Sequence, residues 1–316
     1  MQKKYPSSSL FTKVIKRENL NAYEIGGRSG STIERLTLEN GKSLIAKHIS
    51  AKWDWIMLAT HDQGRIYKLW QEGIFDKLPQ EIDHAIVAIE KEDEGWVIFM
   101  EDVSRDLFGE TRVLSREENR VVLQAMQSMH NLFWNSKFNY LCKLEDYISL
   151  LSVQNAKKFI PSNSSLYKPV LRGWELFEKA VGKDIARAIF EIHKQPEKLA
   201  KELRRYPQTL IHGDWRLHNL GLKGSNKVVA IDWGSLTSIA PGVLDFSWYL
   251  IISATRIDAT RDEIIEDYKL IAGEGFDERV LGLSLIGAFA RLGWCKAIDV
   301  LENNDKKKQS IEQADL

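Results

Sequence analysis

Two cysteines in 316 residues, Cys142 and Cys295, give no disulfide framework and no pair at metal-ligand spacing, so a reducing, cytoplasmic setting is expected. Charge of neither sign is in excess. The 44 Lys and Arg stand against 44 Asp and Glu, which argues against nucleic acid or an anionic membrane surface as the main partner. Long apolar runs are missing too: the longest charge-free stretches, Trp233 to Leu244 and Val280 to Ala290, fall short of the roughly 18 residues a membrane span requires. Met1 to Ser9 carries positive charge without the apolar centre of a signal peptide and reads as a loose tail. There is no internal repeat and no low-complexity linker, and the glycine-rich stretch Ile25 to Thr32 has neither the Gly-Lys-Ser/Thr ending of a P-loop nor the Gly-x-Gly-x-x-Gly spacing. At 44% hydrophobic and 28% charged, the composition is that of a soluble globular protein with one large or two modest domains.

What is present is concentrated between residues 209 and 248. An apolar strand, Thr209 to Ile211, runs into His212-Gly213-Asp214. Asn219 follows, then a turn at Gly224-Ser225-Asn226, then a second apolar strand, Val228 to Ile231, ending in Asp232-Trp233-Gly234. Phosphoryl transfer needs one carboxylate at the attacking hydroxyl and oxygen ligands for magnesium on the triphosphate. Asp214 suits the first task, Asn219 and Asp232 the second, and a hairpin would bring all three to one end of a small sheet.

The Asp-x-x-x-x-Asn loop with Asp-Trp-Gly resembles the catalytic and metal-binding segments of protein kinases, with Gly213 in place of the arginine of His-Arg-Asp. The His-Gly-Asp and Ile-Asp-Trp form is similar to the aminoglycoside phosphotransferase and choline kinase branch of the kinase-like superfamily. The resemblance runs from about Tyr23 to about Leu301. It implies an α+β, bilobal, protein-kinase-like fold: a small antiparallel-sheet lobe over 1–100, a hinge over 101–104, and a larger, mainly helical lobe over 105–316. It also implies transfer of the γ-phosphate of ATP, with Mg2+, to a hydroxyl of a small molecule.

Upstream features fit that template. Ile25-Gly26-Gly27-Arg28-Ser29-Gly30-Ser31-Thr32 would lay backbone amides over the phosphates, so Gly27, Ser29, Gly30 and Ser31 are candidate nucleotide contacts. Two strands, Ile33 to Leu38 and Ser43 to His48, flank Asn40-Gly41 and present Lys47, which resembles the strand lysine that meets the α- and β-phosphates. Thr60-His61-Asp62-Gln63 reads as a capping box for a helix to about Ile74. Asp62 and Glu72 are the acidic candidates to pair with Lys47, and Arg65 stands about where that partner is expected. Val97 to Met100 leads into the hinge, where backbone groups of Glu101 to Val103 would read adenine. Further helices are expected over Arg116 to Trp134, Ile148 to Phe159, Gly173 to His193 and Val280 to Val300.

Individual residues admit more than one reading. Arg216 is either a brace for the transferring phosphoryl group or a salt-bridged loop arginine. His212 reads as structural, His218 as structural or exposed, and Asp245 as a helix cap that also holds the catalytic loop. Trp248 and its aromatic neighbours are core or a cation-binding face. The acidic run Asp258, Asp262, Glu263, Glu266 and Asp267 is a solvated helix face or a contact for an amine. Only twelve residues separate Asp232 from Asp245, and Ala240-Pro241-Gly242 lacks the glutamate of Ala-Pro-Glu, which leaves no peptide platform and points to a small-molecule acceptor. The competing functions are a metal-dependent hydrolase built on His212, Asp214, His218 and Asp232, and a catalytically silent kinase-like binding module.

Overall fold

The Asn40-Gly41 turn shapes the small lobe. In the computed structural model, which describes residues 14–20 and 28–303, β2 (Thr32–Leu38) and β3 (Ser43–Ile49) pair antiparallel across it. Gly41 adopts φ 77, and the Asn40 side-chain oxygen accepts from the Lys42 amide at 3.0 Å. With β1 (Val14–Leu20), β5 (Ile86–Glu92) and β6 (Gly95–Glu101) they form an antiparallel sheet of order β1-β2-β3-β6-β5. Strand alternation buries Leu36, Leu44, Ala46, Ala88, Val97 and Phe99 in a core of the sheet's own. On β3 the opposite parity carries Lys47 and Ile49, and Ile49 belongs to the larger core shared with the helical lobe.

One helix was expected between β3 and β5; two short ones form. Asp54 caps α1 (Trp55–Ala59), accepting the Ile56 and Met57 amides at 3.0 and 3.2 Å. Thr60 closes this helix, its hydroxyl donating to the Ile56 carbonyl at 2.8 Å, so it ends a helix instead of opening one. After Gly64, at φ 87, α2 (Arg65–Gln71) begins. The next strand, β4 (Ile82–Asp83), pairs parallel with β9 (Lys227–Ala230), which pairs antiparallel with β8 (Leu220–Lys223). A strand from the first hundred residues thus completes the sheet of the β8–β9 hairpin.

The helical lobe opens with α3 (Arg116–Leu132), started by a Ser115–Glu118 capping box. The stretch expected as one helix from Ile148 divides into α4 (Leu144–Ser149) and α5 (Val153–Phe159), because the Ser152 hydroxyl caps the second at the Asn155 amide. The stretch from Gly173 divides at Gly182, φ 85, into α6 (Tyr167–Val181) and α7 (Lys183–Lys194). Then come α8 (Pro196–Leu203), β7 (Thr209–Ile211) with its partner β10 (Ser238–Ala240), α9 (Val243–Ser253), α10 (Arg261–Ala272) and α11 (Glu278–Ile298). A window within Glu278–Glu302 has mean hydropathy 1.3, enough by composition to cross a membrane, which the charge-free runs did not signal; 56% of it is buried inside the protein. This helix packs along α6 and α9 and brings Arg291 to the Gly213 carbonyl.

Candidate active site

β7 delivers His212-Gly213-Asp214 to a fully buried carboxylate. Asp245 accepts the His212 amide at 2.7 Å and the Gly213 amide at 2.8 Å, and lies 3.3 Å from His130 Nε2. The expected helix cap is corrected here: Gly242 occupies the cap of α9, and Asp245, in its first turn, directs both oxygens at the His212-Gly213 backbone. His212 is structural. Its Nδ1 accepts the Asp214 amide at 3.2 Å and its Nε2–H donates to the Ile231 carbonyl at 3.1 Å, while burial lowers its pKa, so it is neutral in one tautomer. Gly213 has φ 83, and a Cβ would overlap the Leu236 backbone, which explains glycine between His and Asp.

Asp214 meets three side-chain donors. Trp248 Nε1 donates to Oδ1 at 2.8 Å; Asn219 Nδ2 and Arg216 Nε donate to Oδ2 at 2.9 and 3.1 Å. Burial alone would raise its pKa, but Arg216, Arg291 and the Trp248 bond outweigh this and hold it at about 2. Arg291 was not foreseen. It is 3% exposed, donates to the Gly213 carbonyl at 3.0 Å, and lies 3.7 Å over Trp248 and 4.4 Å over Tyr147. Its signal in the sequence was a lone charge in the otherwise uncharged stretch from Val280 to Cys295, since a charge is buried only when paired.

Arg291 therefore fills the Trp248 face that was considered for a cationic substrate. Part of the acidic run is engaged as well. Asp267 binds Arg116 at 2.8 and 3.0 Å and Arg120 at 2.9 Å, and Glu263 closes the Thr260 capping box and meets Arg116 at 2.7 Å.

Across the hairpin, the Ile231 amide donates to the Asn219 carbonyl at 2.9 Å and places Asp232 at the strand end with φ 68. A left-handed conformation at a residue other than glycine costs on the order of 1–3 kcal/mol and persists only where the surroundings impose it. Lys47 Nζ donates to Asp232 Oδ1. Burial works against the ammonium, but Asp232 outweighs it, with Asp54 and Asp214 adding to the effect, so the Lys47 pKa is raised. Neither expected partner reaches Lys47: Asp62 pairs with Arg65 at 3.2 Å, and Glu72 accepts the Tyr140 hydroxyl at 2.7 Å. Asp54, absent from the expected site, faces Lys47 instead. Its pKa is raised by burial against the opposing pull of Ser29 and Lys47, and its one sequence signal was an acidic cap before an apolar run.

Gly27 lies outside the described residues. Ser29, Gly30 and Ser31 are anchored: the Ser29 carbonyl accepts the Trp55 amide at 2.9 Å, the two serine hydroxyls are 3.1 Å apart, and a Cβ on Gly30, φ 100, would lie 2.5 Å from the Trp53 carbonyl oxygen. At the hinge, the Glu101 amide donates to the Ala85 carbonyl at 2.8 Å and its carboxylate meets Lys223 at 3.3 Å. The Val103 carbonyl accepts the Asp106 and Leu107 amides at 2.9 and 3.3 Å. Two backbone groups expected to read adenine are thus engaged within the chain. His218 is half-buried, and burial, then Arg216 and Arg256, lower its pKa. The hydrolase set does not assemble: both His212 nitrogens are committed, and among the described residues no three His, Cys, Asp or Glu groups are placed to hold a metal ion.

No protein-family model matches the chain, and no curated protein matches it by sequence. Solved structures do match. A choline kinase from Streptococcus pneumoniae superposes with TM-score 0.55 at 13% identity, over 92% of this chain and 86% of the other. An amicoumacin kinase bound to AMP-PNP and Ca2+ gives 0.53 at 13% identity, over 89% and 80%. An aminoglycoside phosphotransferase from Streptomyces rimosus, in complex with ADP and streptomycin, gives 0.52 at 14% identity, over 85% and 95%. The bilobal α+β architecture, from the five-stranded sheet to the helices behind the Asp214 loop, is the fold of the aminoglycoside phosphotransferase and choline kinase-like family.

Proposed function

We propose that the chain is an ATP- and Mg2+-dependent phosphotransferase acting on a hydroxyl of a small molecule. The observation that carries this reading is convergence: Lys47 from the small lobe meets Asp232, while Asn219 binds Asp214, so all four functional groups gather across a separation of up to 185 residues. The donor set fits the cation. With the Asn219 amide nitrogen on Asp214, its carbonyl oxygen and the Asp232 carboxylate are the hard oxygen ligands that magnesium takes. Magnesium would supply charge neutralisation at the β- and γ-phosphates. Lys47, held charged, would meet the α- and β-phosphates, with Ser29, Gly30 and Ser31 over them and the Val103 amide at adenine.

Asp214 accepts a hydrogen bond from the acceptor hydroxyl and aims its oxygen at the γ-phosphorus. As the new P–O bond forms and the bond to the β-phosphate oxygen breaks, the hydroxyl becomes acidic and its proton passes to Asp214. A carboxylate held at about 2 is a weak base, so its main contributions are orientation and late proton acceptance. Arg216 steadies Asp214 through Nε, and its outer nitrogens would brace the transferring phosphoryl group. The acceptor remains a hydroxylated small molecule.

The test is thermal stabilisation by AMP-PNP with Mg2+, followed by transfer of label from ATP to a panel of hydroxylated metabolites and antibiotics. Stabilisation and label on at least one compound support the reading. Stabilisation without transfer favours the silent module, and transfer only to peptides overturns the small-molecule acceptor.

A further inference from the structure

Helix α2 offers Lys47 no carboxylate; it offers Arg65 to the other side of the nucleotide site. This side chain is 2% exposed. Its Nη1 donates to the carbonyls of Gly234 and Ser235 at 3.1 and 2.7 Å and to Asp62 at 3.2 Å, and Nη2 donates to the Thr60 carbonyl at 3.0 Å. Asp62 in turn accepts the Arg65 amide at 2.6 Å, which fixes the start of the helix. Gly234 has φ 94, and a Cβ there would lie 2.5 Å from Ile66 Cβ, so the first turn of α2 rests directly on the turn that follows Asp232. One guanidinium nitrogen holds two successive peptide carbonyls, and Asp232, at φ 68, sits just before them. A planar arginine fork can feed several carbonyls in fixed directions; a lysine cannot.

We infer that Arg65 is a positioning residue for Asp232, transmitting the placement of the small-lobe helix α2 to the metal-binding turn. In this chain the helix acts on the magnesium side of the site, and the lysine is held by Asp232 itself. The inference rests on the proposed reading of Asp232 as a magnesium ligand.

The test uses Arg65→Lys, which keeps the charge beside Asp62 and removes the fork, with two readouts on the full chain. Amide exchange of Trp233 to Thr237 in the nucleotide-free protein should quicken roughly tenfold or more, while β3 is unchanged. The Mg2+ concentration at half-maximal AMP-PNP binding should rise roughly tenfold, the scale on which groups behind a metal ligand act. A Mg2+ midpoint within twofold of the parent overturns the inference, even if the variant is less stable. Should Arg65→Lys fail to fold, Asp62→Asn loosens the same guanidinium, and a midpoint shift in the same direction supports the inference whereas none overturns it. If the parent shows no Mg2+-dependent nucleotide binding, the phosphotransferase reading falls and the magnesium role of Arg65 with it; faster exchange in the variant would then show that the tether exists and that the reading was at fault.

Discussion

Asp214 and Lys47 are the two halves of one site and are held in opposite ways. Asp214 has Trp248, Asn219 and Arg216 on its oxygens, while its loop backbone is fixed by Asp245, His212 and Arg291. Lys47 projects from a strand whose own core is six residues and makes its direct bond to Asp232, in the other lobe. The large-lobe half is preorganised: its charges are compensated before any ligand arrives, so little reorganisation is left for the reaction. The small-lobe half is completed across the interface, by Asp232 here and by phosphates in the proposed complex.

The sharpest way to break that contrast is at Asp245. Asp245→Ala removes the acceptor of two buried amides and leaves them unpaired, and should cost about 3–5 kcal/mol of stability in chemical denaturation. No surface substitution matches that loss. A variant within 1 kcal/mol of the parent, as roughly expected of an exposed site, would show that the loop is held by something else.

Asp214→Asn comes next. The amide keeps the volume and one acceptor oxygen, so the protein should fold and bind the nucleotide while turnover falls at least about a hundredfold, close to 2.7 kcal/mol. Near-normal turnover in the purified variant removes Asp214 from the chemistry. A turnover loss accompanied by an equal loss of nucleotide affinity would move the residue into the other half of the site.

The Lys47–Asp232 pair sharpens the comparison from the other side. Lys47→Ala and Asp232→Ala should each weaken Mg-ATP use with little effect on folding. The double variant should be less impaired than the sum of the singles, by about 1–2 kcal/mol, as expected for two groups in direct contact. Titration of Mg-ATP against all three variants measures this. Strict additivity would mean that the two side chains act independently.

How much of this was legible in the sequence follows from range. The hairpin at Asn40-Gly41, the strand into the hinge and the Asp214–Asn219–Asp232 spacing are local patterns, set by turn chemistry and strand period, and they could be read from a few neighbouring residues. Helix breaks at Ser152 and Gly182 were local too, but lay hidden inside continuous apolar periodicity. Arg65, Asp54 and Arg291 could not be read in this way. Arg65 and Arg291 act on segments distant in the chain, Gly234 and Gly213, and Asp54, though near Lys47 in sequence, adds to its charge stabilisation only through the fold of the loop between them. Only the packed structure identifies which distant carbonyl or carboxylate lies opposite a given charge. The sequence offers Asp62 and Glu72, before and after α2, as partners for Lys47, whereas the carboxylate bonded to it is Asp232 at a strand end, with the helix cap Asp54 adding to its charge stabilisation.

The smallest expected effect separates the two halves by the sign of their response to acid. Burial lowers the pKa of His84, His193, His212 and His218, the last two flanking Asp214. Their unfolded forms bind protons more readily, so the stability they contribute is complete above about pH 6.5 and is lost as pH falls through the lower folded values. Beside Lys47 and at the start of α2 the sign is reversed. Asp54 and Asp62 have pKa values raised by burial, so what they contribute is complete below their unfolded value, roughly 3.9, and is lost as pH rises through the folded one. Between pH 7.5 and 5.5 the histidines titrate first, and the melting temperature should fall, by less than any of the substitutions above produces. Asp54→Asn removes a group that works in the opposite direction and should make that fall steeper, or leave it unchanged if Asp54 titrates below this window. A melting temperature that rises on acidification, or a fall that Asp54→Asn makes shallower, would contradict the assignment of signs and with it the contrast between a loop neutralised internally and a lysine balanced against buried carboxylates.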